Sequence, residues 1–153
     1  MNRLILWILC SIFFWGCTNN TSKLDSEQRE IIDNAQEQIN SLNERAENDS
    51  VFSKTPEYAA EMERKQIEIA KSMRGLTVNE RLLQKYELAL NDLNTYSIRL
   101  KKNPDLAKNS FFMETFQKHG NSVREFYQIL SETQLSSTEK KHFDELTSNK
   151  KTY

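Results

Sequence analysis

The sequence predicts an all-α protein, an up-and-down helical bundle of four main helices plus a short C-terminal helix. The 153-residue chain contains only 3 Gly and 2 Pro, too few for the many turns of a sandwich, a barrel or a glycine-cradled nucleotide fold. After the N-terminal segment, apolar residues recur at the three- and four-residue spacing of amphipathic helices. The connections between these patterns are short, which makes consecutive helices antiparallel neighbours.

The first helix is predicted at about Ser26 to Asn48, and the second runs from Pro56 to about Arg74. The apolar face of the first helix carries Leu24, Ile31, Ile32, Ala35, Ile39, Leu42 and Ala46. For the second helix, Thr55 supplies an N-cap hydroxyl and Pro56 stands where its missing N–H costs nothing. Its apolar stripe is thin, so we expect it at the outside of the bundle, with Gly75 as its C-terminal cap.

Capping boxes predict where the third and fifth helices begin. Thr77 with Glu80 starts the third helix, whose apolar residues span an arc of about 140° and should touch at least two neighbours. Asn103-Pro104-Asp105 ends it and is expected to start the fourth helix. The apolar stripe of the fourth helix is Phe112, Met113, Phe116, His119, Val123, Phe126, Tyr127 and Leu130. Ser136 with Glu139 starts the fifth helix, and the bundle domain is predicted at 26–149.

The fourth helix contains a local conflict between two signals. Ser122 with Glu125 forms another capping box and Gly120 could cap the preceding turn, which together predict a break. The apolar stripe nevertheless keeps its phase across the site, which favours one bent helix. In that arrangement Gly120 lies on the buried face, where it would let a neighbouring backbone approach closely.

The N-terminus is typical of a targeting signal. After Arg3, apolar residues from Leu4 to Trp15 are interrupted only by Ser11, and the segment closes on Gly16 and Cys17. As a helix this run would measure about 18 Å, too short for a hydrocarbon core of about 30 Å. The small residue before the cysteine, followed by polar residues, resembles a bacterial lipoprotein signal with its lipobox. Phe14 and Trp15 depart from the usual leucine and small residue of that pattern.

The resemblance implies a signal peptide at 1–16, an acylated Cys17 as the first mature residue and a polar tether at 17–25. Cys10 would leave with the signal, so the mature chain would have no disulfide. Two or more acyl chains anchor a protein stably to a membrane. Thr18 is not the Asp associated with inner-membrane retention in enteric bacteria, which favours the outer membrane. The alternative is a plain secretory signal or uncleaved anchor in which Cys17 is incidental.

The sequence offers little for catalysis or metal binding. His119 lies in an apolar stripe, where it predicts a hydrogen-bonded packing residue or, alternatively, a ligand or general base. Glu139 and His142 share one helical face, but di-iron bundles need two such pairs and further inward-facing glutamates. The acids of the longer helices are predicted off their apolar stripes. We therefore expect no enzyme activity, no metal and no cofactor, and the balanced 21 basic and 22 acidic residues argue against nucleic-acid binding.

Two smaller features concern the surface. Asp49-Ser50-Val51 resembles the three-residue O-glycosylation site of Bacteroidetes, with Ser50 as the acceptor, although three residues often match by chance. Some apolar residues point away from the predicted core stripes, where they mark either a docking surface or a second contact inside the bundle. They are Ile67, Leu88, Ile98, Phe111 and Ile129.

The sequence thus predicts a lipid-anchored protein of the bacterial cell envelope that acts by protein–protein interaction, as an accessory or adaptor lipoprotein. Its expected partners are the membrane, through the lipid anchor, and another envelope protein, while a homo-oligomer is compatible with the pattern. An alternative is a carrier or scavenger that holds a small apolar ligand between the helices around His119 and Gly120. A second alternative is an enzyme that uses His119.

Overall fold

The computed structural model describes residues 24–148, and all regular structure in that range is helical. The five α-helices of this described range are α1 (Ser26–Asn48), α2 (Pro56–Ser72), α3 (Val78–Lys102), α4 (Ser110–Glu132) and α5 (Ser137–Ser148). The predicted all-α fold of four main helices and a short fifth is confirmed. The predicted signal peptide, Cys17 and most of the tether lie outside the described residues. Within those residues, no helix is both long and apolar enough to span a membrane.

The helix starts follow the predicted capping chemistry. The Thr55 hydroxyl accepts from the Tyr58 N–H at α2, and Thr77 and Glu80 satisfy each other's backbone N–H groups at α3. A capping box that the sequence interpretation missed starts α1, where Asp25 and Gln28 exchange the same pair of bonds. Such reciprocal bonds satisfy the free N–H groups of a first turn, and they explain why α1 begins at the predicted residue.

The connection between α3 and α4 differs from the prediction. Pro104–Lys108 forms a 3-10 turn of its own, and α4 begins at Ser110 with Asn109 as its N-cap. Asn109 accepts the Phe112 N–H and donates its own Nδ2 to the Glu47 carbonyl at 2.8 Å. The start of α4 is therefore fixed by a contact with the end of α1, which a local sequence pattern does not contain.

The helices pack as two antiparallel hairpins. In the first hairpin α2 runs along α1, and in the second α4 runs along α3, with α5 packed against α3. The second hairpin has a core of Leu83, Tyr86, Ala89, Val123, Leu130 and Phe143. The first hairpin buries Leu24, Ile32, Met73 and Leu76, and Leu88 of α3 packs against this core.

The apolar residues off the predicted stripes divide into two groups. Leu88 packs against the core of the first hairpin, and the Phe111 ring meets the Tyr58 ring edge-on at 6.0 Å, so both make second contacts inside the bundle. Ile67, Ile98 and Ile129 remain exposed, at 45%, 40% and 38%. They lie on three different helices, α2, α3 and α4, and isolated apolar residues of this kind are normal on a protein surface.

α4 is one continuous helix through His119-Gly120-Asn121-Ser122, as the phase of its apolar stripe predicts. The expected close approach of a neighbouring backbone at Gly120 is wrong. A Cβ placed on Gly120 would have Leu93 Cδ1 as its nearest neighbour, at the ordinary van der Waals distance of 3.8 Å. The helix does not break at Ser122, because continuing it keeps the apolar stripe buried along α3.

Candidate functional site: the seam between the hairpins

Polar side chains meet where the two hairpins face each other, and we call this cluster the inter-hairpin seam. Its members are Gln36, Asn43 and Glu47 of α1, Asp92, Tyr96 and Arg99 of α3, and His119 of α4. The members on each helix are three, four or seven residues apart, spacings that place side chains on one helical face. The seam is therefore built by three helices from both hairpins.

Asp92 is the central residue of the seam. Gln36 Nε2 of the first hairpin donates to Asp92 Oδ1 at 2.8 Å, and His119 Nδ1 of the second lies 3.4 Å from Asp92 Oδ2. The Asp92 side chain is buried, with 10% exposed, and that of His119 is partly buried, with 17% exposed. Asp92 is therefore hydrogen-bonded across the interface between the hairpins and also contacts a histidine of its own hairpin.

Burial shifts the two titrating groups in opposite directions. It raises the pKa of Asp92 to about 7, against the opposing effect of the Gln36 hydrogen bond. It lowers the pKa of His119 to about 4, and the nearby Lys118 charge lowers it further. Burial thus favours the uncharged form of both side chains, the protonated carboxyl of Asp92 and the neutral imidazole of His119.

Glu47 and Arg99 form the second cross-hairpin contact. The Arg99 guanidinium donates to both Glu47 carboxylate oxygens, at 3.1 and 2.5 Å, a bidentate geometry that only arginine provides. The Glu47 side chain is 3% exposed and that of Arg99 is 24% exposed. The guanidinium carbon also lies 5.4 Å from the Tyr96 ring centroid and 5.3 Å from that of Phe112, within cation–π range.

A groove of about 220 Å³ opens between α1 and α3 next to Asp92. It is lined by Leu24, Arg29, Ile32, Asp33, Gln84, Glu87, Leu88 and Asn91. Most of these residues are polar or charged, and both signs of charge are present. Gln36 lies one turn beyond Asp33, and Asp92 directly follows Asn91, so the Gln36–Asp92 hydrogen bond joins the same two helices near the groove but is not part of its lining.

Glu139 and His142, which share one face of α5, perform separate roles. Glu139 accepts the Ser136 N–H at 2.7 Å in a capping box, and that backbone bond is the largest cause lowering its pKa. His142 is buried, and its Nε2 lies 3.8 Å from Glu87 Oε2 at the edge of the groove. Within residues 24–148, no three His, Cys, Asp or Glu side chains are grouped so that they could hold a metal ion.

The other predicted site residues lie apart from the seam. Gly120 is next to His119 in α4 but faces Leu93 of α3. Ser50 is exposed in the turn after α1, where Asp49 Oδ1 accepts the N–H groups of Val51 and Phe52. Cys17 lies outside the described residues, so the structure brings only His119 into the seam.

The sequence interpretation missed most of the seam. It placed the acids of the longer helices off their apolar stripes, which is wrong for Asp92 and for the Glu47 side chain. For Asp92 a signal existed, because it lies three residues after Ala89 and four before Tyr96, both of which belong to the stripe of α3. For Glu47 the signal is weaker, since its partner Arg99 is 52 residues away in the chain.

Comparison of the chain with models of known protein families, with curated proteins and with solved structures found no match.

Proposed function

We propose that this chain is a lipid-anchored protein of the bacterial cell envelope, held in the outer membrane, that acts by binding another envelope protein. In this proposal Cys17 carries the lipid, the bundle is the binding module, and the groove between α1 and α3 receives the partner. The role is that of an accessory or adaptor subunit, without a reaction of its own.

The observation that supports this proposal is the position and chemistry of the groove. Leu24 lines it and lies seven residues after Cys17, a length of chain that reaches at most about 25 Å. An acylated Cys17 would therefore hold the groove close to the membrane surface. The mixed charges of Arg29, Asp33 and Glu87 suit the polar and charged side chains of a protein partner better than a small apolar ligand.

The seam also favours binding over catalysis. Asp92 is hydrogen-bonded to Gln36 and contacts His119, and Glu47 is paired with Arg99, so the charged or titrating groups of the seam have partners within the bundle. Buried groups that pair in this way stabilise and position helices. Around Gly120, the expected place for an apolar ligand, Leu93 of α3 already makes van der Waals contact with the position of an added Cβ.

The test is site-specific photo-crosslinking in cells with the full chain carrying a C-terminal tag. A photoreactive residue replaces Asn91 in the groove or, as a matched control, Asn121 on α4, since both asparagines are exposed. We expect Asn91 to capture one envelope protein in stoichiometric amount, Asn121 to capture far less, and Cys17→Ala to abolish capture. Incorporation of a labelled fatty acid that disappears in Cys17→Ala checks the anchor separately.

Two outcomes would contradict the proposal. Capture at Asn121 equal to that at Asn91 would remove the groove as the binding site. Capture of nothing but further copies of this chain at both positions would remove the adaptor role, whether or not Cys17 is acylated.

A further inference from the structure

Asp92 and His119 form a largely buried acid–base pair near the groove. The acid is hydrogen-bonded to α1 through Gln36 and contacts α4 through His119, so separating the hairpins would bring water to the carboxyl and to the imidazole edge that faces it. Any change of their proton content on exposure would make the closure of the seam depend on pH.

We propose that the Asp92–His119 pair keeps the seam closed to the same degree across the acidic range in which the two side chains titrate separately in water. The proposal concerns the regulation of the groove and rests on the proposed function only in taking the groove as the binding site. A domain tethered in the cell envelope meets the pH of its surroundings, and a groove of constant shape is what an adaptor needs there.

The argument is a proton count. In the closed seam the Asp92 carboxyl and the His119 imidazole lie 3.4 Å apart and largely away from water, so the pair holds one proton. Burial favours the uncharged form of each group, which is consistent with this count. In water, between about pH 4 and pH 6.5, the aspartate is ionised and the histidine protonated, which is again one proton. Because both states bind the same number of protons, the opening equilibrium has no slope with pH in this range.

Each group alone would produce a steep slope, and the two slopes have opposite signs. The pKa of Asp92 is higher in the closed seam than in water, so Asp92 alone would favour closure at low pH and weaken it as pH rises towards 7. The pKa of His119 is lower in the closed seam, so His119 alone would favour closure at neutral pH and weaken it as pH falls towards 4. When both groups are present, the two pH slopes nearly cancel.

The other groups that face the pair do not change this count. Gln36 of α1 is uncharged, and burial raises the pKa of the Tyr96 phenol of α3 further above the acidic range. Glu47 and Arg99 are bonded to each other one to two turns away, and Lys118 adds a cation from the exposed face of α4. The Glu87–His142 pair lies at the groove edge, towards α5, and provides a control.

The test is amide hydrogen exchange measured by mass spectrometry on the full chain in lipid nanodiscs at pH 5, 6 and 7, corrected for the intrinsic exchange rate. We expect protection of segments 32–40 and 88–96 in the wild type to change less than about fivefold. In Asp92→Asn it should fall about tenfold or more from pH 7 to pH 5, and in His119→Gln it should fall by a similar factor from pH 5 to pH 7. In the double variant, protection should again be nearly independent of pH.

Asp92→Asn keeps the oxygen that accepts from Gln36, so this variant should remain folded. Glu87→Gln, which changes the other histidine pair, should keep the flat profile of the wild type. Slopes of the same sign in both single variants, flat profiles in both, or a tenfold change in the wild type would each overturn the proposal. No partner enters this experiment, so its failure would leave the crosslinking result untouched.

Discussion

The two hairpins bury different kinds of residue, and the difference shows which one stabilises the fold. The second hairpin buries aromatic side chains that contact one another, among them Tyr86, Tyr96, Phe112 and Phe143. The first hairpin has a mostly aliphatic core with one buried aromatic ring, Phe52 in the turn between α1 and α2. The residues of α2 that it buries are Lys65 and Ser72. Because aromatic residues bury about 150–250 Å² each, the second hairpin gains more from its core. The first depends more on contacts across the seam.

The largest effect is expected in the aromatic core of the second hairpin. Phe112 is fully buried, and its ring lies 5.0 Å from that of Tyr96 and 6.3 Å from that of Phe116. Phe112→Ala should lower the free energy of unfolding by about 3–5 kcal/mol, because it removes apolar area and leaves a cavity. Urea unfolding followed by circular dichroism measures the change, and Phe111→Ala, at a half-buried neighbour, is the control. Equal losses in both variants would mean that this core is not the dominant one.

A smaller effect is expected where the hairpins are joined. Glu47→Gln removes the charge that faces Arg99 across the seam, while the Glu44 carboxylate, 3.7 Å from Arg99, compensates in part. We expect a loss of about 1–3 kcal/mol in the free energy of unfolding, less than the full effect of breaking a buried pair. In Asp144→Asn, which breaks the exposed Lys140–Asp144 pair of α5, the loss should stay below about 0.5 kcal/mol.

The location of any loss in Glu47→Gln sharpens the comparison of the hairpins. If the first hairpin depends on the seam, hydrogen exchange in Glu47→Gln should accelerate in α1 and α2 more than in α3 and α4. A loss of protection that is uniform over all four helices would show that the two hairpins form one cooperative unit, contrary to the comparison.

The helices could be predicted from the sequence, and the seam could not, for a physical reason. Capping residues such as Thr55 and Thr77 act on their own first turns, so local pattern contains the information. The bonds of Asp92 to Gln36 and of Arg99 to Glu47 join residues 56 and 52 positions apart, and the same residues would be ordinary on a solvated face. His119 was found because it lies in an apolar stripe, but its acid partner was not.

The smallest effect is expected at two glycines, one inside a helix and one in a turn between helices. Gly120 lies within α4 with room for a methyl group against Leu93, so Gly120→Ala should raise the free energy of unfolding by about 0.5–1 kcal/mol through helix propensity. Gly75, between α2 and α3, has a φ of +91°, so Gly75→Ala should lower it by about 1 kcal/mol through backbone strain, although nothing lies within 4 Å. Thermal unfolding of both variants measures whether the two changes have these opposite signs. A destabilised Gly120→Ala would mean that α4 needs the glycine for close packing after all.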